Sequence, residues 1–322
     1  MQLSPRTWHL LTLLADGDFY SGEVLAQCLG VSRATVCNAL DQAVQMGIGL
    51  QRVRGRGYRL NQPWQMLNPT VLADGLGPLN RRLRLDILQQ AGSSNAVLLQ
   101  RLQHGAPSGS VVAVELQTAG RGRQGRVWHS ELGNALTFSL LWRFDSGFAQ
   151  LAGLSLAVGL AMVRALRQLG LHEARLKWPN DVLIPSGKLG GILLEARGDM
   201  QGPCAVVIGI GLNQRLPLHV QQRIDQAAGA LSDLHLPLPE RNQLLVALLQ
   251  QLVPLLDAFA VTGFAPLVAE WQMVHAHQDR PVRLRLPDGS QLEGIARGVD
   301  VQGNLKLETA SGLRLCHSGE IG

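Results

Sequence analysis

A short segment rich in glycine and arginine, AGRGRQGRVW at residues 119–128, limits what the middle of this chain can fold into. Its glycines have the G-x-G-x-x-G spacing of a dinucleotide-binding turn, and it follows a strand-like apolar run, SVVAVELQ at 110–117. A dinucleotide-binding turn must lead through a helical crossover before the next parallel strand. The next strand-like run, NALTFSLLWRF, begins at residue 134, and the residues between have no helical period. The sequence therefore excludes a dinucleotide-binding fold and predicts a flexible loop between two strands.

This segment, called the Arg-Gly loop below, has a composition suited to binding anions. Each guanidinium of Arg121, Arg123 and Arg126 offers five donors to phosphate or carboxylate, and the glycines keep the backbone adaptable. We expect the loop to close over an anionic ligand. A solvated basic loop would have the same composition, so the segment alone leaves both interpretations open.

Composition narrows the class of protein. The formal net charge of +5 is a modest excess that favours an acidic or phosphorylated partner. The four cysteines lie far apart without a CxxC pair, which argues against a zinc site or a disulfide framework and favours a reducing cytosol. The longest apolar stretch, 151–163, is too short to span a bilayer and predicts a buried helix. We expect a cytoplasmic protein with no membrane partner.

The first sixty residues contain three helical patterns. Ser21 can cap the second helix, Gly30 ends it, and Ser32 can cap the third. Two short helices joined by a tight turn at a glycine fit a helix-turn-helix at about 22–41. The third helix would be the recognition helix, and its predicted DNA-binding residues are Ser32, Arg33, Thr35 and Asn38.

A basic hairpin follows the helices. LQRVRGRGYRL at 50–60 alternates across a glycine-rich turn and carries Arg52, Arg54, Arg56 and Arg59. A helix-turn-helix followed by such a hairpin resembles a winged helix, and Arg52, Arg54 and Arg56 are predicted to contact DNA. A small helical interaction domain with a solvated hairpin is the alternative. Residues 61–80 hold three prolines and little charge, and they predict a linker with one helical turn.

Four further segments carry polar residues beside strand-like runs: GSSNAVLL at 92–99, LKWPNDVL at 176–183, GKLGGILLE at 187–195 and VVIGIGLN at 206–213. The first predicts a capped helix whose free N–H groups suit polar ligand atoms. Each segment alone is a weak signal, because a buried lysine or a capped helix is usually structural.

Taken in order, GRGRQGRVW, KWPND, KLGGILLE and GIGLN closely resemble the biotin protein ligases. With the winged-helix segment in front, the whole chain resembles the bifunctional members of that family, which also repress the biotin operon. The resemblance implies a multi-domain α/β protein whose central α/β domain is related to class II aminoacyl-tRNA synthetases, followed by an SH3-like β barrel. The tail supports the barrel, since it alternates between turns at Asp288-Gly289 and Gly303-Asn304. The predicted domains are 1–62 (winged helix-turn-helix), 63–80 (linker), 81–277 (catalytic) and 278–322 (SH3-like).

The family joins biotin to ATP to form biotinyl-5′-AMP and then transfers biotin to a lysine of a carrier domain. The resemblance implies Mg²⁺ with ATP and no fixed metal site on the protein. It implies three partners: the biotin carboxyl carrier protein of acetyl-CoA carboxylase, operator DNA, and a second copy of the chain. Biotinyl-5′-AMP would serve both as the intermediate and as the corepressor that promotes homodimer formation.

Matching motif by motif, the resemblance assigns three overlapping sets of residues. The biotin-binding set is Ser93, Ser94, Asn95, Gln117, Arg121, Gly122, Arg123 and Lys188. The set for ATP and the adenylate is Arg121, Arg123, Arg126, Trp128, Asn180 and Lys188. The catalytic set is Lys188, Arg121 and Asp181. For Asp181 two roles stay open, orienting the incoming carrier lysine or assisting Mg²⁺ placement.

Two features depart from the family or point elsewhere. Gln124 occupies a loop position that is often arginine in the family, so the loop has one cation fewer to hold it closed. Cys204 could suggest the related lipoyl or octanoyl transferases, but its apolar neighbours favour an inert core residue. Two alternative functions remain: a ligand-sensing transcriptional regulator without ligase activity, and a ligase whose N-terminal domain does not bind DNA.

Overall fold

The N-terminal unit is three helices and a hairpin, as the sequence predicts. A computed structural model describes residues 2–199 and 202–322 of the chain. The elements are α1 (Pro5–Leu13), α2 (Gly22–Leu29), α3 (Arg33–Gln45), β1 (Leu50–Val53) and β2 (Gly57–Leu60). The predicted caps are present: the Ser21 hydroxyl accepts from the backbone N–H of Val24, and that of Ser32 from Thr35. Gly30 ends α2 with a φ of 64°, a conformation that favours glycine.

The segment predicted as a linker instead contains a packed helix, α4 (Pro69–Leu76), followed by a 3₁₀ turn at Gly77–Arg82. Asn68 caps α4, because its side chain accepts from the backbone of Thr70 at 2.9 Å, and Pro69 begins the helix. Leu72 and Leu76 lie one turn apart and are buried in the central core. The prediction of one helical turn in a linker was therefore too short, because the apolar side of α4 faces a partner far along the chain.

A seven-stranded sheet forms the central domain, with the strand order β3-β4-β5-β9-β8-β7-β6. Its strands are β3 (Arg84–Ala91), β4 (Ser110–Gln117), β5 (Ala135–Phe144), β6 (Arg175–Lys177), β7 (Asp181–Ile184), β8 (Gly187–Gly198) and β9 (Cys204–Asn213). Only the β3–β4 pair is parallel. Because β4 and β5 are antiparallel neighbours, the Arg-Gly loop joins adjacent strands without a helical crossover, as expected.

Helices cover both faces of this sheet. Helix α5 (Ser94–Gln103) packs on one face, and α6 (Leu154–Gln168) and α8 (Arg241–Thr262) pack on the other. The domain also contains the short helices α7 (Leu218–Gln221) and α9 (Val268–Met273). Val112 and Val114 of β4 pack with α5, whereas Val111 and Ala113 pack in the large core that contains α6 and α8. The segment Phe148–Gln168, which includes α6, and the helix α8 are each long and apolar enough to cross a membrane, but here α6 and α8 pack against each other and more than half of each segment is buried.

The C-terminal unit is a five-stranded antiparallel sheet with an SH3-like fold, in the order β13-β12-β11-β10-β14. Its strands are β10 (Pro281–Arg285), β11 (Gln291–Val299), β12 (Leu305–Thr309), β13 (Gly312–Cys316) and β14 (Glu320–Ile321). Gly289 and Gly303 have positive φ at the two predicted turns. The indole N–H of Trp178 donates to the carbonyl of Gly303 at 3.0 Å, which joins this sheet to the central domain.

The N-terminal unit contacts the central domain just beyond the Arg-Gly loop. Leu132 packs against the core of the winged helix, and Gly133 lies against the buried Trp64. A Cβ on Gly133 would be 2.4 Å from the Cβ of Trp64, so no larger residue fits without a shift. The chain segment that leaves the Arg-Gly loop therefore packs directly against the winged helix, at residues 132–133.

Candidate active site

A pocket lies where the end of β4, the start of α5, the Arg-Gly loop and the strands β8 and β9 meet. All of the residues predicted to bind biotin or ATP, or to act in catalysis, line it: Ser93, Ser94, Asn95, Gln117, Arg121, Gly122, Arg123, Arg126, Trp128, Asn180, Asp181 and Lys188. The structure thus brings together segments that are up to about a hundred residues apart in the sequence. What each of these residues does there stays a prediction.

One end of the pocket is a buried hydrogen-bonding cluster at the start of α5. The Ser94 N–H donates to the Gln117 side-chain oxygen at 2.7 Å. The Ser139 hydroxyl donates to the Asn95 oxygen at 2.5 Å and lies 2.7 Å from the Ser94 hydroxyl, within hydrogen-bond distance. Ser93 stands at the N-cap position, but its side chain makes no capping bond. This end can offer donors and acceptors to a neutral polar ring.

The floor of the pocket owes its shape to two glycines of β9. A Cβ on Gly209 would be 2.2 Å from the side-chain oxygen of Asn95, and one on Gly211 would be 2.5 Å from the indole of Trp128. The alternating glycines of GIGLN therefore leave room for these two side chains on one face of the sheet. The Trp128 indole N–H is buried and has no hydrogen-bond partner among the described residues.

The Arg-Gly loop is held over the pocket by hydrogen bonds from all three of its arginines. Their acceptors are Glu195 for Arg121 at 2.9 Å, Asn180 for Arg123 at 3.1 Å, and both carboxylate oxygens of Glu320 for Arg126. Gln124 has a φ of 54° in a single 3₁₀ turn. The loop is therefore closed by contacts to β8, to the β6–β7 turn and to the C-terminal sheet.

The sequence analysis did not identify the two carboxylates that bind this loop. Glu195 also accepts from the Asn95 amide at 2.8 Å, so it joins the polar cluster to the loop. Its position at the end of KLGGILLE was an available signal, whereas nothing local singles out Glu320. Burial raises the pKa of Glu320, but the bond from Arg126 and nearby Lys177 outweigh burial, and the pKa is lowered on balance.

Lys188 and Asp181 form a buried ion pair at the cationic end of the pocket. The Nζ of Lys188 lies 2.7 Å from Asp181, and the two side chains are 18% and 7% exposed. Nearby, burial lowers the pKa of Lys177, although Asp181 and Glu320 partly oppose that effect. Within 2–199 and 202–322, no three His, Cys, Asp or Glu side chains are placed to hold a metal ion. Asp181 therefore belongs to no such cluster of ligating side chains, and its ionic partner is Lys188.

On the recognition helix, the predicted DNA-binding residues divide into two kinds. Arg33 and Asn38 are exposed. The Ser32 hydroxyl accepts from the Thr35 N–H at 3.2 Å and contacts the Thr35 hydroxyl at 3.0 Å, so these two side chains are engaged in the cap. Arg33 and Asn38 are therefore available to contact a ligand, whereas Ser32 and Thr35 shape the start of the helix.

On the wing, the predicted arginines are all exposed. Arg52 contacts the Cys37 sulfur at 3.3 Å, and the Arg56 guanidinium lies 4.2 Å from the centre of the Phe19 ring. Arg54, at the hairpin tip, has no hydrogen-bonding or ionic partner in the described part of the chain.

A winged helix joined to this pocket and to an SH3-like sheet defines a class of proteins, the ligases that carry their own DNA-binding unit. The chain belongs to the bifunctional biotin ligase/repressor family, because it is 36% identical to a bifunctional ligase/repressor over 97% of its length. It matches the biotin/lipoate A/B protein ligase family at 88–213, the biotin protein ligase C-terminal domain at 277–321 and a helix-turn-helix domain at 6–59.

Similar proteins span nearly the whole chain. The bifunctional ligase/repressor BirA of Salmonella typhimurium is 36% identical over 97% of this chain and 95% of its own length. The biotin–[acetyl-CoA-carboxylase] ligase of Mycobacterium tuberculosis is 36% identical over 74% of this chain and 88% of its own. Among solved structures, the Aquifex aeolicus biotin protein ligase in complex with biotin and ATP superposes with a TM-score of 0.61 at 26% identity, covering 74% of this chain and 97% of that one.

Proposed function

We propose that this chain forms biotinyl-5′-AMP from biotin and ATP, and transfers biotin to a lysine of the biotin carboxyl carrier protein of acetyl-CoA carboxylase. With the adenylate bound, two copies assemble and repress transcription at operator DNA. The observation that carries the proposal is the pocket itself, in which a neutral polar cluster and a cationic end share one glycine-floored cavity. Family membership with ligase/repressors along nearly the whole chain supports both halves.

Biotin lies between the two ends of the pocket. Its ureido ring bonds with Ser93, Ser94, Asn95 and Gln117, the donors and acceptors at the start of α5. Its carboxylate reaches Lys188. Gly122 has no side chain, so the backbone of the Arg-Gly loop can approach biotin closely. This orientation fits a neutral ring at the buried cluster and a charged group at the cation.

Adenylation requires a carboxylate oxygen to attack the α-phosphorus of ATP while the bond to pyrophosphate breaks. Two anions must meet, so fixed cations that reduce their repulsion lower the barrier. Lys188 meets the carboxylate and the α-phosphate, and Arg121, Arg123 and Arg126 bind phosphate oxygens. Trp128 packs near the adenine, and Asn180 positions Arg123. Mg²⁺ bound with ATP would neutralise part of the charge on its phosphates.

Transfer then joins the neutral amine of the carrier lysine to the acyl carbon. AMP leaves with both electrons of the broken C–O bond, and the amine loses a proton to solvent as the amide forms. The mixed anhydride must be protected from water until the lysine arrives, and the closed Arg-Gly loop provides that cover. Asp181 orients the lysine or assists Mg²⁺ placement, and in either role it also holds Lys188. The reaction takes place in the cytoplasm.

Biotin-dependent exchange of pyrophosphate into ATP tests the enzymatic half. The purified chain should catalyse exchange with biotin and little with lipoate or octanoate. Equal exchange with lipoate would overturn the substrate assignment. Tight adenylate-dependent DNA binding without any exchange would favour the ligand-sensing regulator instead.

A further inference from the structure

The wing is bonded to the segment that precedes α2. The backbones of Tyr20 and Tyr58 exchange two hydrogen bonds, at 2.9 and 2.8 Å. Gly57, with a φ of 104°, permits this approach, because a Cβ there would lie 2.0 Å from the Tyr20 carbonyl oxygen. The residue before Tyr20 is therefore held beside the wing. That residue is Phe19.

Two wing arginines share the Phe19 ring. The guanidinium carbon of Arg56 lies 4.2 Å from the ring centre, and that of Arg59 lies 4.6 Å from it. Both distances are within the range of a cation–π contact. A guanidinium packed on a ring uses its flat face, so the N–H groups along its edge point away from the ring. The Nε–H of Arg59 donates to the Gln51 side-chain oxygen at 2.9 Å, which leaves its terminal N–H groups available to bind phosphate.

No carboxylate among the described residues neutralises these two cations, although Asp16 and Asp18 closely precede Phe19 in the sequence. Asp16 accepts hydrogen bonds from the Tyr20 hydroxyl and the Asp18 N–H, and the Tyr20 hydroxyl is the main cause of its lowered pKa. Within the described ranges, neither arginine pairs with a carboxylate. The wing thus presents two oriented and uncompensated charges, in contrast to the unattached Arg54.

We propose that Phe19 is a positioning residue for DNA binding, which holds Arg56 and Arg59 in place to contact backbone phosphates. The inference rests on the proposed repressor function. Phe19 itself is neutral and makes no phosphate contact. Its removal should therefore weaken DNA binding without changing the number of phosphates neutralised.

The test uses the full chain loaded with biotinyl-5′-AMP and a fluorescent duplex selected by the wild-type protein from a random-sequence library. Phe19→Leu keeps the apolar volume and loses the ring, and we expect about fivefold to tenfold weaker binding from two exposed cation–π contacts. The slope of log affinity against log salt should stay unchanged. Phe19→Tyr keeps the ring and is the matched control, with affinity near that of the wild type.

A double-mutant cycle separates positioning from a general effect on folding. In an Arg56→Ala/Arg59→Ala background, the salt slope should fall by about 0.9 for each lost contact, and Phe19→Leu should have no further effect. If Phe19→Leu binds as tightly as the wild type, or weakens the background variant equally, the positioning role is wrong. If the wild-type protein selects no duplex at all, the repressor function itself fails and this inference falls with it.

Discussion

Replacing Lys188 by methionine tests the electrostatics of the cationic end. At 2.7 Å and an effective dielectric constant of about 20, Lys188 and Asp181 attract each other by about 6 kcal/mol before desolvation is counted. Methionine removes the cation and leaves Asp181 as an unpaired buried carboxylate. The variant therefore loses the stabilising charge of Lys188, and the charge of Asp181 is no longer neutralised and repels incoming anions.

These two effects have separable magnitudes. Removing one preorganised group that stabilises developing charge costs about a hundredfold to a thousandfold in rate. The stranded carboxylate in the same pocket also repels an incoming anion, and each 1.4 kcal/mol of that repulsion slows the reaction by about another tenfold. Lys188→Met should therefore slow adenylate formation about a thousandfold to ten-thousandfold. Lys188→Met/Asp181→Asn should be faster than the single variant, because the stranded charge is gone.

Single-turnover formation of biotinyl-5′-AMP measures both variants directly, with enzyme in excess over labelled ATP. Asp181→Asn alone is the control that keeps the Lys188 charge. A double variant as slow as Lys188→Met would refute the electrostatic argument, since Asp181 would then contribute no repulsion. An unchanged rate in Lys188→Met would show that the lysine is only structural.

Three further predictions concern the loop, the floor and a buried histidine. Arg121→Ser breaks the hydrogen bond to Glu195, so the variant should still form the adenylate but release it into solution. The released adenylate should then biotinylate an added bystander protein, which mass spectrometry detects. Biotin found only on the carrier domain would contradict this prediction. Gly211→Ala places a methyl group against Trp128, and an overpacking cost of about 1–3 kcal/mol should raise the KM for ATP about tenfold, with a smaller change for biotin. Burial lowers the pKa of His275 from its ordinary value of 6.5 to about 4. Between these two pH values the unfolded chain binds a proton at this residue that the folded chain does not. The free energy of unfolding therefore decreases as the pH falls from 6.5 to 4. Urea unfolding at pH 7 and pH 4 should show that the wild type loses about 3 kcal/mol more than His275→Phe over this range; equal losses would show that His275 is not the group responsible.

Local signals in the sequence were sufficient for much of the fold. The caps at Ser21 and Ser32 and the ending of α2 at Gly30 depend on residues within one helical turn, so the sequence predicts them directly. The absence of a helix after the Arg-Gly loop follows from the short distance to β5. In each case the determining contacts are close in the chain.

What the sequence did not predict depends on contacts between distant residues. Leu72 and Leu76 form a buried face because α8 lies against α4, about 175 residues later. Glu320 enters the pocket only because the C-terminal sheet docks beside the Arg-Gly loop. Phe19 has no unusual sequence context, and its importance arises from the pairing of Tyr20 with the wing. Such contacts depend on tertiary packing that a single sequence does not record.

The contact between Gly133 and Trp64 provides a physical connection between the pocket and the winged helix. Because the chain continues from the Arg-Gly loop directly to this contact, a displacement of the loop would also displace the surface on which the winged helix rests. Any factor by which the adenylate tightens operator binding is then, by linkage, the factor by which the operator tightens adenylate binding. Protein bound to its operator would hold its intermediate longer than free protein does. Under the proposed function, repression and carrier modification would therefore compete for the same bound adenylate.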